Sequence, residues 1–498
     1  MRKNSGRSES QRRWKKIRRK KVTSDQLNIS AMKTIISIDI GSTWTKGGLF
    51  VLSPSGLKLK SKYSTPTTQN NLIQGFNEVL KGLTGQDING ALAGLNDSTE
   101  VFFSSSAKGG LKIAAIGLVP DLTLQLARLA AMSAGGKVVG SFAFTLTRQD
   151  VEALERLQPD IILFSGGTDG GNTRYVLDNA RRLASSGFSC PVVYAGNRAV
   201  ADEVAEILKN KEVILTENLM PEVGQVNIEP AREKIREIFL KRIVQGRGLS
   251  ELVEIFGTQP RPTPLAVFEL IQAIPRFNPD WSDLAAIDIG GATTDFYSNT
   301  ESYLETDSVI LKGIREPRVK RTVEGDLGMR VSACSLLEAG KPYLEARLIS
   351  LGLVLEAMER FVQKISVDND YLPETEEEVW LDRILAETCV YYSALRHAGG
   401  WRETYTPQGK VYIQTGKDLR AVKAVVGSGG FLSAENSAEV LRLPLERLAF
   451  YGDERKLLPE KPSFFRDKDY LFPLLGNLVE KYPQEAAILA VASLEKLG

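Results

Sequence analysis

Two phrases of the chain gather residue types able to handle a charged ligand: Asp39-Ile40-Gly41-Ser42-Thr43-Trp44-Thr45-Lys46 and Asp288-Ile289-Gly290-Gly291-Ala292-Thr293-Thr294-Asp295. Each follows an apolar run and leads into another, so each predicts a β-hairpin with a tight turn of small and hydroxyl residues. Backbone N–H groups and hydroxyls gathered in such a turn face an anion. Asp39, at the end of its strand, is placed to hold water or a metal beside that anion. Two such hairpins, far apart in sequence, can clamp one polyphosphate from opposite sides. A third element, Ala424-Val425-Val426-Gly427-Ser428-Gly429-Gly430-Phe431, carries a strand into a glycine turn. There Gly427, Gly429 and Gly430 let backbone approach a flat base or ribose closely. The turn does not match the Gly-x-Gly-x-x-Gly dinucleotide pattern, and the chain has no Gly-x-x-x-x-Gly-Lys-Ser/Thr loop.

The elements that must position these phrases are those of a soluble α/β protein. A chain of 498 residues, 43% hydrophobic and 25% charged, is long for one core. Residues 1–31 read as a basic disordered tail, 32–280 as a first lobe with an α/β insertion, and 281–498 as a second lobe ending in helices. Val51 to Lys60 reads as a strand bent at Pro54, and Asn70 to Gly82 as an amphipathic helix. Leu111 to Leu118 reads as a strand and Leu122 to Gly135 as a helix. From Thr147 strands alternate with helices, which predicts a parallel sheet with ligand-facing loops at its carboxyl ends. The strand Ile161–Phe164 enters one such loop, Ser165-Gly166-Gly167-Thr168-Asp169-Gly170-Gly171-Asn172, too rich in Gly, Thr and Asp for a plain connector. Residues 218–256 are expected to be mostly helical, with a proline-rich break at 257–264. From Thr322 a glycine-containing loop is expected to lead into helices reaching about Gly400.

Charge and cysteine usage exclude several classes. Eleven basic residues face one acid, Glu9, in residues 1–21; the remainder carries 52 bases and 60 acids, net −8. A mildly acidic body is not the footprint of a nucleic-acid-binding domain. The tail lacks the apolar core of a secretory signal, and Met32 directly precedes the first strand. A chain begun at Met32 is expected to keep full activity. No apolar run is long enough to span a membrane. Cys190, Cys334 and Cys389 lie far apart with no Cys-x-x-Cys pair, which argues against a disulfide framework, a zinc ribbon or a Cys-held cluster. A reducing cytoplasm is the expected compartment.

The order phosphate hairpin, phosphate hairpin, adenosine turn resembles the superfamily of actin, the heat-shock chaperones and the sugar kinases. That resemblance implies an α/β, two-lobed actin-like ATPase fold of duplicated ribonuclease H-like domains, with the nucleotide cleft between the lobes. It implies Mg-ATP as ligand, with Gly41, Ser42, Thr43 and Lys46 in the first phosphate loop. Gly290, Gly291, Ala292 and Thr293 fall in the second, and Gly427, Gly429 and Gly430 in the adenosine loop. Phosphoryl transfer needs charge neutralisation and an in-line nucleophile more than covalent help. Asp39 and Asp295 are therefore expected to hold Mg2+ through water, and Asp288 to orient or deprotonate the attacking water. Lys46 either reaches a phosphate or decorates the second strand of its hairpin.

A closer resemblance is carried by the Asp39–Lys46 and Ser165–Asn172 phrases, Asn218-Leu-Met-Pro-Glu-Val-Gly224 with Asn227–Arg232, the Asp288–Asp295 phrase, and Arg321-Thr-Val-Glu-Gly-Asp-Leu-Gly-Met-Arg330. These are similar to the accessory proteins encoded with adenosylcobalamin-dependent glutamate mutase, proposed to be its reactivating ATPases. The implied partner is a cobalamin-dependent mutase, glutamate mutase or a related aminomutase, from which damaged cobalamin is exchanged. The one histidine, His397, sits in Leu395-Arg396-His397-Ala398-Gly399-Gly400, where Leu395 stands in place of the aspartate of a cobalamin-binding Asp-x-His-x-x-Gly phrase. His397 reads instead as a helix C-terminal residue, so the chain is expected to act on a cobalamin protein without holding the cofactor that way. Alternatives of the same superfamily are a sugar-type kinase and an actin-like interaction protein.

Overall fold

The computed structural model describes residues 32–68, 70–88, 99–106, 111–244, 249–301, 308–407, 409–448, 450–451 and 454–498. The basic tail read at 1–31 lies outside the described residues. The first sheet holds β1 (Lys33–Ile40), β2 (Trp44–Ser53), β3 (Gly56–Pro66), β4 (Thr99–Ser105) and β10 (Arg261–Pro262) in the order β10-β4-β1-β2-β3. An inserted sheet holds β5 (Lys112–Gly117), β6 (Lys137–Ala143), β7 (Ile161–Phe164), β8 (Val192–Tyr194) and β9 (Val213–Leu215), all parallel, in the order β6-β5-β7-β8-β9. The second-lobe sheet holds β11 (Leu284–Ile289), β12 (Thr294–Asn299), β14 (Val319–Glu324), β17 (Ala424–Gly429), β20 (Ser463–Arg466) and β21 (Glu495–Lys496), in the order β14-β12-β11-β17-β20-β21. A fourth sheet links β13 (Val309–Lys312), β16 (Gly409–Thr415), β15 (Gly400–Thr406), β19 (Glu454–Lys456) and β18 (Phe450–Tyr451) in that order.

The first and third sheets repeat one plan. In each, the first three strands of the sheet (β1, β2, β3 or β11, β12, β14) run antiparallel, and a later strand, β4 or β17, lies parallel beside the first. This is the duplicated ribonuclease H-like topology of the two-lobed actin-like ATPase fold. Alternation along β1 explains how one strand serves two cores. Ile36, Ile38 and Ile40 face the first-lobe core with Phe76 and Phe103. Ile35 faces the opposite way, toward Leu284 and Tyr297 of the second-lobe sheet and the helices Thr263–Phe277, Phe472–Gly476 and Pro483–Ala492. The second-lobe core gathers Ile287 and Phe296 with Leu344, Phe361 and Leu385 of three long helices.

Local rules and local failures are both visible. Asn71 caps the helix Leu72–Thr84 by accepting from the Ile73 N–H, and left-handed Gly85 ends it. Thr147 and Asp150 form a capping box on Arg148–Leu157. Val51 to Lys60, expected as one bent strand, is the end of β2, a two-residue turn at Pro54-Ser55 and the start of β3. The glycine-containing loop expected from Thr322 starts three residues later, at Gly325, because Thr322 and Val323 belong to β14, and it leads into the helix Ala333–Ser350. Strand β6 escaped notice because Gly140 and Ser141 interrupt its apolar pattern. Residues 218–228 contain no helix, and the expected break at 257–264 ends in the helix Thr263–Phe277, with Pro264 in its first turn where no N–H is needed. Among the described residues no helix is long and apolar enough to cross a membrane.

Candidate nucleotide site between the two hairpins

Strand register fixes the chemistry of both hairpins. Asp39 lies opposite Lys46 on β2 and beside Ser104 on β4. Asp288 lies opposite Asp295 on β12 and beside Ser428 on β17. The turns match: the Gly41 N–H donates to the Trp44 carbonyl at 3.0 Å, and the Gly290 N–H donates to the Thr293 carbonyl at 2.9 Å. One cross-strand position thus carries a cation in the first lobe and a carboxylate in the second. The tips face each other, and a Cβ at Gly291 would stand 2.7 Å from Thr43 Cγ2. A larger residue at 291 would have to displace the Thr43 side chain.

Asp39 is buried and well held. Its Oδ1 accepts from Thr263 Oγ1 at 2.6 Å and Ser104 Oγ at 2.9 Å, and its Oδ2 accepts from Tyr470 OH at 3.3 Å. Burial raises its pKa, although these donors and Lys46 work against the rise. Lys46 Nζ sits 3.3 Å from the centroid of the Tyr470 ring. Burial lowers the pKa of this amine, while Asp39, Asp288 and Asp467 favour its charge. Asp288 is pushed up to about 7 by burial and by the facing Asp295, with Lys46 opposing. A carboxyl balanced near neutrality is suited to accept a proton from water.

Asp295 differs from expectation in its partners. Its Oδ1 accepts from Arg321 Nε at 2.7 Å and lies 2.6 Å from Nη2 of the same guanidinium, which leaves Oδ2 with a long 3.4 Å bond from Thr293 Oγ1. The same buried guanidinium donates through Nη1 to the carbonyl of Met132 at 2.7 Å, in the last turn of the helix Gln125–Ser133, and to that of Gly136 at 3.1 Å, just after it. Arg321 therefore ties the second-lobe sheet to the root of the insertion.

The Arg321–Arg330 phrase also carries the second hairpin. The N–H groups of Met329 and Arg330 donate to the carbonyls of Gly290 at 3.1 Å and Gly291 at 2.9 Å, and Ser332 Oγ donates to the Ala292 carbonyl at 2.7 Å. A Cβ at Gly328 would collide with the Ala292 carbonyl, so this segment wraps the tip at backbone contact. Arg330 is itself braced by a bidentate pair with Asp382.

The glycine turn arrives at the same edge. Ile289 is in register with Gly429, whose φ of +95° is a left-handed-side conformation that favours glycine, and a Cβ there would strike the Ile289 carbonyl. Gly430 opens the short helix Gly430–Ala434. The structure thus brings Asp39, Gly41, Ser42, Thr43 and Lys46 together with Asp288, Gly290, Gly291, Ala292, Thr293 and the turn Gly427–Gly430 at the carboxyl ends of β1, β11 and β17.

Sequence reading missed Ser104, Thr263, Tyr470 and Asp467. Fully buried Asp467 accepts from the N–H groups of Leu471 at 2.7 Å and Phe472 at 2.9 Å and from Ser428 Oγ at 3.1 Å, joining β17 to the helix Phe472–Gly476. Its one local signal is a short strand, Ser463–Arg466, ending at an aspartate. The Ser165–Asn172 loop is knitted away from the hairpins: Asp169 Oδ1 accepts from Asn218 Nδ2 at 2.9 Å and the Arg198 N–H at 3.0 Å, and Asn197 Oδ1 accepts from the Gly170 N–H at 3.0 Å. His397 does end a helix, but it is buried between Ser298 Oγ and Thr322 Oγ1, both at 2.9 Å, and stacked on Phe296. Burial holds its pKa well below the usual histidine range.

Known proteins share this chain's sequence over nearly its whole length. Residues 35–494 match the family model described as MutL protein. Protein MutL of Clostridium tetanomorphum is 38% identical over 478 residues, covering 94% of this chain and all of that relative. Among solved structures, nucleotide-free acetone carboxylase is 12% identical, with 90% of this chain and 70% of that chain covered, at a TM-score of 0.38. Gluconate kinase from Lactobacillus acidophilus is 11% identical, with 94% and 93% covered, at a TM-score of 0.33. Likenesses at these scores decide nothing about activity. The sequence matches do decide kinship: the chain belongs to the MutL protein family.

Proposed function

We propose that this MutL-family protein binds and hydrolyses Mg-ATP between its two hairpins and uses lobe movement to reactivate an adenosylcobalamin-dependent mutase, with exchange of damaged cobalamin. The observation that carries the nucleotide part is the pair of matched turns, tip against tip, flanked by Asp39, Lys46 and Asp288. The mutase part rests on the resemblance of the five sequence phrases.

The residues fit the ligand. Gly291 lets the two tips approach and Gly429 lets β17 turn against Ile289, Lys46 supplies positive charge, and both tips are built of small residues. Among the described residues no cluster of three metal-ligating side chains occurs, so a divalent ion here must draw much of its coordination from phosphate and water. Magnesium, when bound, would neutralise charge on the transferring phosphoryl group. Asp288, which has no hydrogen-bond donor among the described residues, is the carboxylate open to water. Asp39, held by three donors, is the more rigid neighbour, and Asp295 contributes mainly through Arg321. Between the tips the free space is about 30 Å3, room for a water but not a triphosphate. Entry therefore requires the lobes to part, and closure around nucleotide is the motion available to act on a partner.

The test is recovery of activity by glutamate mutase inactivated through cobalamin damage, with this protein, ATP and fresh adenosylcobalamin. ATP-dependent recovery supports the reading. Phosphate transfer to a sugar with no recovery would replace it with a kinase.

A further inference from the structure

We propose that Lys137, the first residue of β6, contacts the terminal phosphate of the bound nucleotide and so couples the inserted sheet to nucleotide state. This rests on the nucleotide reading above and adds a residue that no phosphate-loop phrase contains.

Lys137 lines the small space between the hairpin tips together with Ser42, Ala292, Thr293 and Arg321. It is delivered there by the Gly135-Gly136 turn, where Gly135 has φ +87°, and β6 is the edge strand of the inserted sheet. Its Nζ lies against the backbone of Gly325, where any Cβ would collide with it. The carboxylates around it are already committed. Asp295 is held by Arg321, while Arg396 pairs with Glu324 and binds both oxygens of Asp326. Among the described residues Lys137 therefore has no hydrogen-bonded anion, although it is partly buried, and burial lowers its pKa. A desolvated ammonium with no hydrogen-bonded carboxylate, lining the space that opens when the tips part, is stabilised by an arriving anion.

The consequence is directional. One residue before Lys137, the Gly136 carbonyl accepts from Arg321, so the root of the insertion is already latched to the second lobe. A terminal phosphate held by Lys137 adds a second latch at the same point, and its loss on hydrolysis removes it. The sheet β5–β9, with its Ser165–Asn172 loop, then moves against the second lobe as the nucleotide changes from triphosphate to diphosphate.

Calorimetric titration of the full chain with non-hydrolysable ATP and with ADP tests this. For Lys137→Met, affinity for the triphosphate is expected to fall about tenfold or more, and for ADP less than about twofold. The unliganded variant should melt no lower than wild type, because a desolvated cation has been removed. Triphosphate-induced hydrogen-exchange protection of residues 112–143 should disappear. Gly325→Ala, which keeps the lysine but displaces its Nζ, should reproduce the loss if Lys137→Met folds poorly. Equal effects on both nucleotides, or none, would overturn the assignment while leaving the nucleotide site intact. Failure of the wild-type chain to bind either nucleotide would overturn both.

Discussion

Replacing Arg321 with methionine removes a buried group that joins the second-lobe sheet to the root of the insertion. Two of its nitrogens lie 2.6 and 2.7 Å from Asp295 Oδ1, and a third donates to the carbonyls of Met132 and Gly136. The substitution leaves a buried carboxylate without its cation, a defect that costs about 3–5 kcal/mol. The two carbonyls lose a charged donor, which adds about 1–3 kcal/mol. Replacing Asp295 with asparagine as well removes the orphaned charge, so the double variant should recover most of the first figure. Because the chain is large and two-lobed, a single melting temperature would blur this. Hydrogen exchange resolved by peptide is the better assay. It should show faster exchange in residues 125–136 and 319–324 of Arg321→Met, much of it reversed in the double variant. If the single variant exchanges like wild type, or the double is worse than the single, Arg321 is not the latch described here.

The carboxyl of Asp288 makes a pH prediction. Its folded pKa, raised from 3.8 to about 7 first by burial, means the folded state keeps a proton the unfolded state releases. Stability should therefore fall as pH rises from about 4 through 7, by at most about 4 kcal/mol. Asp288→Asn should flatten that decline when unfolding is followed from pH 5 to 8.5; an unchanged slope would remove Asp288 from the explanation. Gly291→Val places a branched side chain where Thr43 Cγ2 would already be 2.7 Å from a Cβ. It should hold the tips apart in small-angle scattering of the unliganded chain, and Thr43→Ala should partly restore closure. Asp169→Ala unties the Ser165–Asn172 loop from Asn218 and Arg198. Proteolysis near residues 165–172 should quicken while phosphate release by the isolated chain stays within about twofold of wild type.

Legibility followed sequence distance. Both hairpins were readable because a strand, a glycine turn and a strand are written within about a dozen residues each. The helices Leu72–Thr84 and Arg148–Leu157 were readable for the same reason. What holds Asp39 was not, since Thr263 and Tyr470 arrive from 224 and 431 residues away. No local pattern encodes such a meeting. The four-residue strand β20 was too short to stand out, and with it Asp467 was lost. Lys137 was hidden because Gly135, Gly136 and Gly140 disguise β6 as a loop. The Arg321–Arg330 phrase was noticed as wording, but its work of wrapping the second tip is a tertiary fact.

The central claim is that the matched hairpins form one ATP-hydrolysing site, and phosphate release from ATP by the purified chain, paired with ATP binding by calorimetry, tests it most directly. Wild type should bind Mg-ATP and release phosphate, with release rising when an inactivated mutase is added. Asp288→Asn should bind Mg-ATP with similar affinity and lose most of the turnover. Unchanged turnover in that variant would contradict the role given to Asp288, and absence of nucleotide binding by wild type would contradict the site itself.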